Sequence, residues 1–104
     1  MKRHAFKMKL KPGVAAEYKK RHDEIWPELA AELRAAGVSN NSIFLDEETL
    51  TLFAVQKLSD KNTAAALPNS PIVRKWWDCM APLMEVHPDH APVCSELREV
   101  FHLD

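Results

Sequence analysis

The feature that most limits the fold of this chain is a change of hydrophobic period close to residue 12. Residues 2–10 alternate between two faces, with Phe6 and Met8 on one face and lysines on the other. A period of two predicts a strand that buries only one face. After Pro12-Gly13, apolar residues recur at spacings of three and four from Val14 onward, which predicts a long first helix.

The predicted first helix extends to Gly37 and is interrupted once. Gly37 follows the last residue of the helical pattern, where a left-handed C-terminal cap is expected. Pro27 lies inside the pattern, so it removes one backbone hydrogen bond and its ring presses on the preceding turn. We therefore predict a kink between Asp23 and Pro27.

A hairpin and two short helices follow. Residues 40–46 and 50–58 are rich in aliphatic and aromatic side chains and are joined by polar residues, which predicts two paired strands. Ser59 at an N-cap position predicts a short helix over 59–67, and Ser70-Pro71 predicts a second one that ends near residue 81.

The remaining segments complete the predicted architecture. Residues 82–93 hold three of the seven prolines and predict a loop, and residues 95–103 predict the last strand. The order βαββαβ is that of a ferredoxin-like α+β fold, in which helices cover one face of a four-stranded antiparallel sheet. We expect residues 1–104 to form a single domain.

The other face of this sheet has no predicted cover. Because the hairpin strands carry apolar residues on both faces, something must shield the second one. Pairing of two such sheets, which gives a dimeric α/β barrel, is the simplest solution. We therefore expect a homodimer.

Composition narrows the classes of protein further. The chain is 46% hydrophobic and 28% charged, which excludes a disordered tail, a collagen-like repeat and a coiled coil. No apolar run approaches the ~18 residues of a membrane span, and charges interrupt the N-terminal segment where a signal peptide needs an apolar stretch. We expect a cytoplasmic protein in which Cys79 and Cys94 are thiols.

The charge distribution raises the question of a nucleic-acid partner. Residues 1–21 hold eight of the 14 basic residues, although the net charge of the chain is only -1. A nucleic-acid surface would give this pattern. The lysines of the first strand alternate with apolar residues, so one solvent-exposed face of a strand explains them adequately, and we predict no nucleic-acid partner.

Two groups of side chains could carry chemistry. Tyr18 and His22 are four residues apart and share the apolar face of the first helix, where a polar group needs a partner or a purpose. An imidazole exchanges protons near neutral pH, and a nearby phenol can hydrogen-bond a ligand. Trp76 and Trp77 could present flat indole faces to the C–H groups of a sugar ring. Ordinary core packing is the alternative for both groups.

Metal and nucleotide sites are not predicted. The run His87-Pro88-Asp89-His90 lies in the proline-rich loop without a third ligand nearby, so we expect no metal. Two glycines in the whole chain cannot build a phosphate-binding loop.

These residues also resemble a known family, the L-rhamnose mutarotases. The resemblance covers nearly the whole chain and is carried by three runs: Tyr-x-x-x-His-x-x-Ile-Trp-Pro-Glu-Leu from Tyr18 to Leu29, Lys75-Trp76-Trp77 with Met80, and Ser95 to Phe101. It implies a homodimer that interconverts the α and β anomers of L-rhamnose without a metal or an organic cofactor. By the same resemblance, His22 matches the proton donor, and Tyr18, Trp76 and Trp77 match sugar-binding positions.

One position departs from the family pattern. The second strand of the family usually carries a sugar-contacting tyrosine, and the matching run here is Asn40-Asn41-Ser42-Ile43. Asn41 can still hydrogen-bond a hydroxyl group, but it lacks the ring.

The fold alone leaves two other functions open. Cofactor-independent monooxygenases and haem-degrading enzymes use the same architecture. A sugar-binding module without catalysis, in which His22 is only structural, is the third alternative.

Overall fold

The computed structural model describes residues 1–104, which form a four-stranded antiparallel sheet with helices on one face. The strands are β1 (Lys2–Lys9), β2 (Val38–Asp46), β3 (Thr51–Leu58) and β4 (Ser95–Leu97). Their order across the sheet is β2-β3-β1-β4, so β3 lies between β1 and β2 and is antiparallel to both. This is the ferredoxin-like order, and it confirms the predicted fold class.

The predicted alternation in β1 is confirmed. Met8 is buried beneath the helices while Lys7 is exposed. Met8 pairs with Leu52 and Phe6 pairs with Ala54, so both strands present apolar residues to the same side. Burying such side chains contributes roughly 25 cal/mol per Å² of apolar surface. Eight buried residues form this core: Met8, Leu10, Tyr18, Leu52, Ala54, Met80, Leu83 and Met84.

The predicted kink in the first helix is a complete break. The helical pattern forms α1 (Ala15–Asp23) and α2 (Pro27–Ala35), and Trp26 between them has an extended backbone with φ -63° and ψ 132°. A residue that precedes proline disfavours the helical conformation, and Pro27 has no N–H to continue the hydrogen-bond ladder. The expectation of one bent helix was therefore wrong, and Pro27 instead begins the second helix.

The joint after α2 depends on Gly37. Its φ of +92° is the left-handed conformation predicted for a C-terminal cap. The joint is tight, because a Cβ on Gly37 would lie 2.3 Å from Ser59 Oγ and 2.8 Å from Asn62 Cβ. The Gly37 carbonyl also accepts a hydrogen bond from the Ser59 N–H at 2.9 Å, which ties the end of α2 to the end of β3.

The second helical region differs partly from its prediction. The segment expected over 59–67 is a 3₁₀ helix at Ala64–Asn69 that includes Pro68 and does not start at Ser59. The next helix, α3, spans Pro71–Met80, with Ser70 at the N-cap position as predicted. The Ser70 side chain makes no capping hydrogen bond. The following loop is ordered by backbone bridges from Leu10 to Met84 and from Val86 to Pro92.

The last strand is much shorter than predicted. Pairing with β1 covers only Ser95, Glu96 and Leu97, and the expected strand over 95–103 stops there. Val100 and Phe101 are 82% and 77% exposed, so the apolar residues of this tail find no surface within one chain to pack against. Without that packing, a continued pairing would gain little.

The outer face of the sheet is uncovered. Phe44 of β2 is 62% exposed, and Val55 of β3 and Leu97 of β4 are 38% and 37% exposed. The strand register places these residues on the face opposite the helices. No helix of the chain combines the length and the apolar character that a membrane crossing requires.

Candidate active site

The site is built on the face of α1 that points toward the sheet. Tyr18 and His22 are one turn apart, and their ring centroids lie 4.4 Å from each other. Tyr18 belongs to the buried core, while His22 is half-buried at its margin. The structure therefore brings together the two residues that the helical spacing predicted.

The break between α1 and α2 brings a tryptophan to the same place. The Trp76 ring of α3 meets His22 edge-on at 5.3 Å between ring centroids and Trp26 edge-on at 5.1 Å. Trp26 was not predicted as a site residue, although it stands in the Ile-Trp-Pro run. The signal that could have identified it is Pro27, because a proline moves the residue before it out of the helical conformation.

Polar contacts fix α1 against α3. Arg21 donates from Nη1 to the backbone carbonyl of Cys79, and its Nε donates to Glu17 at 2.9 Å. Because Cys79 lies one turn beyond Trp76, this anchor sets the distance between the two walls of the site. Sequence patterns gave no sign of it, since the two partners are 58 positions apart.

The tautomer of His22 follows from its one hydrogen bond. Its Nδ1 lies 3.0 Å from the backbone carbonyl oxygen of Tyr18, and a carbonyl can only accept, so Nδ1 carries the proton. The neutral ring then has a bare lone pair on Nε2. Burial lowers the pKa of His22 below its ordinary value of 6.5, against the opposing effect of the Tyr18 carbonyl. The imidazole is therefore a neutral base at pH 7.

Tyr18 keeps its proton and is a hydrogen-bond donor. Burial raises the pKa of Tyr18 to about 12, so its hydroxyl keeps its proton over the whole working range of most enzymes. The phenol can donate one hydrogen bond and accept others. A donor next to a bare imidazole nitrogen suits a ligand that carries several hydroxyl groups.

Trp77 is placed differently from Trp76. It is half-buried, and the guanidinium carbon of Arg74 lies 5.7 Å from the centre of its ring. Neighbours on a helix point about 100° apart, which explains why Trp76 faces His22 while Trp77 faces Arg74. Of the predicted site residues, the structure thus groups Tyr18, His22 and Trp76.

Other polar features of the chain lie outside this group. His90 pairs with Asp78 at 2.8 Å, and no group of three His, Cys, Asp or Glu side chains converges to hold a metal ion. A cleft of about 380 Å³ between α2 and α3 is lined by Glu28, Glu32 and Lys75 among others. None of the predicted site residues lines it.

Comparison with known proteins gives consistent matches. Residues 3–103 match the family model described as L-rhamnose mutarotase. The L-rhamnose mutarotase of Bacteroides thetaiotaomicron is 58% identical over 104 residues, which is 100% of both chains. That of Rhizobium johnstonii is 52% identical over 103 residues, 99% of this chain and 97% of the relative.

A solved structure gives the same result. The crystal structure of an L-rhamnose mutarotase from Formosa agariphila superimposes with a TM-score of 0.92, at 53% identity and with 100% of both chains covered. The sheet order, together with these full-length matches, defines a ferredoxin-like α+β isomerase. The chain belongs to the L-rhamnose mutarotase family.

Proposed function

We propose that this protein interconverts the α and β anomers of L-rhamnose, with His22 as the residue that moves the proton. The observation that carries this proposal is the bare Nε2 of His22, held in a fixed tautomer at the margin of the core. Tyr18, Trp76 and Trp77 are the proposed sugar-binding residues. The proposal is supported by membership of the family and by a site of uncharged rings that suits a neutral sugar.

The reaction needs only proton transfer. Neutral His22 takes the proton from the anomeric hydroxyl through Nε2, and the electron pair left on that oxygen forms the C1=O bond. The bond from C1 to the ring oxygen breaks, and the ring oxygen keeps the electron pair and receives a proton from the imidazolium. Half a turn about C1–C2, followed by the reverse steps, closes the ring on the other face.

The surroundings of His22 assist both halves of this cycle. The lowered pKa of the imidazole keeps it ready to accept a proton at pH 7. Once it is charged, the Tyr18 carbonyl and the C-terminal end of α1 stabilise the imidazolium. General acid–base catalysis of this kind contributes about 10²- to 10⁴-fold.

The aromatic rings suit a 6-deoxy sugar. Trp76 stands edge-on to His22, so a pyranose beside the imidazole would lie against an indole surface. The methyl group of rhamnose would replace a hydroxyl group that such an apolar wall cannot satisfy.

The activity is tested on the unmodified protein. Saturation-transfer NMR should show faster exchange between the two anomers of L-rhamnose in the presence of the protein than in buffer alone. Binding of rhamnose without faster exchange would instead identify a sugar-binding module and would reject the enzymatic role.

We also propose that two chains pair through the uncovered face of the sheet. Phe44 is 62% exposed there, and Val55 and Leu97 are partly exposed, so apolar side chains from three strands lie on a face that a partner could cover. The exposed tail that contains Val100 and Phe101 is a second apolar surface that a partner could cover.

Association through this face predicts a measurable mass. Light scattering at micromolar concentration should give twice the chain mass of 11.9 kDa. Phe44→Glu, which places a charge on the uncovered face, should shift the mass toward one chain. Ala31→Glu adds the same charge on the exposed side of α2 and should leave the pair intact. A single-chain mass for the unmodified protein would refute the dimer.

Two further proposals concern the domain organisation and the location of the protein. We propose that residues 1–104 act as one mutarotase domain, because the family match spans residues 3–103. We propose a cytoplasmic location, which is supported by two cysteines that form no disulfide, Cys79 and Cys94.

A further inference from the structure

A line of four polar side chains crosses the helix-covered face of the sheet, with one residue from each strand. Asn41 of β2 donates from Nδ2 to Gln56 Oε1 of β3 at 2.8 Å. Gln56 Nε2 lies 3.0 Å from His4 Nδ1 of β1, and His4 Nε2 lies 3.2 Å from the Glu96 carboxylate of β4. We call these four residues the polar strip.

The carboxylate at one end sets the direction of every hydrogen bond in the polar strip. Glu96 can only accept, so His4 Nε2 must donate to it. In a neutral ring Nδ1 then accepts, which makes the Gln56 amide nitrogen the donor and turns the Gln56 oxygen toward Asn41. Asn41 must donate in turn. Its own oxygen and one N–H, together with the second N–H of Gln56, remain free for another partner.

The polar strip adjoins the core cluster against which Trp76 of the aromatic site also packs. His4 pairs with Gln56 two residues along from the pair Phe6 and Ala54, and the ring centroids of His4 and Phe6 are 5.3 Å apart. Ala54 belongs to the same core cluster as Tyr18, and Phe6 packs against that cluster. Two residues along a strand cover about 7 Å, a distance that one pyranose with its hydroxyl groups can span.

The polar strip is also accessible. The His4 side chain is 25% exposed and the Glu96 side chain is 83% exposed, whereas Ala54 and Leu58 on either side of Gln56 are buried. Apolar residues at these positions would extend the core, since the same face of β3 is otherwise apolar. Hydrogen-bonded amides in their place suit a ligand with hydroxyl groups.

We propose that Gln56 is a further residue of the sugar site that binds a hydroxyl group, and that His4, held by Glu96, is a positioning residue that orients the Gln56 amide. This inference rests on the proposed function, and it places a second amide beside Asn41, the position at which the resemblance already implies a sugar contact. In this arrangement the aromatic rings contact the C–H groups of the sugar, and the amide binds a hydroxyl group.

The first test replaces the amide of Gln56. Gln56→Met keeps the length of the side chain, and it should raise the KM for L-rhamnose about tenfold with little change in kcat, because one hydrogen bond to the bound sugar is lost. Asn69→Leu is the matched control, since it removes an exposed amide at the end of the 3₁₀ helix. It should leave both constants unchanged.

Deoxy sugars show whether Gln56 itself contacts the sugar. Among the 2-deoxy, 3-deoxy and 4-deoxy analogues of L-rhamnose, one should have the same KM with Gln56→Met as with the unmodified protein, because the hydroxyl group that Gln56 binds is already missing. An equal loss for all three analogues would overturn the contact, as would an unchanged KM for rhamnose.

The positioning role of His4 has its own readout. His4→Leu should reproduce most of the rise in KM caused by Gln56→Met, while His4→Asn, which retains an acceptor near the position of Nδ1, should restore part of the affinity. A purely structural histidine would lower the melting temperature in both variants without separating KM from kcat. If the unmodified protein does not accelerate anomer exchange, the proposed function is wrong. If it does accelerate exchange but Gln56→Met has the same KM and kcat as the unmodified protein, only the role of the polar strip is rejected.

Discussion

His22→Ala is expected to slow the catalysed exchange of rhamnose anomers by about 10²- to 10⁴-fold while the protein stays folded. The variant removes the one nitrogen in the aromatic site with a free lone pair, and the Tyr18 and Trp76 rings remain to bind the sugar. Saturation-transfer NMR measures the exchange rate, and circular dichroism checks the fold. His87→Ala removes an exposed imidazole from the proline-rich loop and should exchange at the normal rate.

The pH profile gives a second measure of the same role. Because burial lowers the pKa of His22, exchange should be retained at neutral pH and should fall on acidification with a midpoint below 6.5. Between the lowered pKa and 6.5 the unfolded chain binds more protons than the folded one, so stability also decreases as the pH falls through this window. An undiminished exchange rate in His22→Ala would reject the role.

Gly37→Ala is expected to lower the free energy of unfolding by about 3 kcal/mol. The substitution forces an alanine to adopt a φ of +92°, which residues other than glycine rarely adopt. Its Cβ would also lie 2.3 Å from Ser59 Oγ, which is a collision. Backbone atoms of the neighbouring turn also lie close, with Asn62 Cα at 3.1 Å, so the strain cannot be relieved by one side chain alone. Urea unfolding measures the loss.

Gly13→Ala is the matched control for this prediction. Gly13 also has a positive φ, +78°, but a Cβ there would meet nothing within 4 Å. Its cost should therefore be only the conformational penalty of about 1 kcal/mol. Equal losses for the two variants would show that the contact with Ser59 is unimportant and that only the backbone conformation matters.

The fold could be predicted wherever one local rule dominated. The alternation of Lys7 and Met8 gave the first strand and its buried face, and Gly37 gave the end of a helix. Pro27 predicted a kink in the helix. Because Pro27 lacks an N–H and also moves Trp26 out of the helical conformation, the helix is broken rather than bent. The end of β4 could not be predicted, because it depends on what the tail packs against and not on its own pattern.

The residues of the site could likewise be predicted only where one local rule was sufficient. Tyr18 and His22 could be paired from their spacing of four, since both lie on one helix. Residues that meet across strands could not be, because the partners of Gln56 depend on the register of the sheet and on the irregular pairing of β2 between Ser39 and Ser42. That irregularity lies beside Asn41, which reaches Gln56 on the neighbouring strand.

The protonation states of Tyr18 and His22 have a consequence for how the aromatic site responds to salt. A phenol with a pKa of about 12 and a histidine with a lowered pKa are both uncharged at pH 7. In the proposed site, dispersion and hydrogen bonds between uncharged groups would hold a neutral sugar, and dissolved ions would screen neither of them. The exposed pair of Lys19 and Asp23 on the same helix weakens with ionic strength, whereas the proposed affinity of the rings for a sugar should not change.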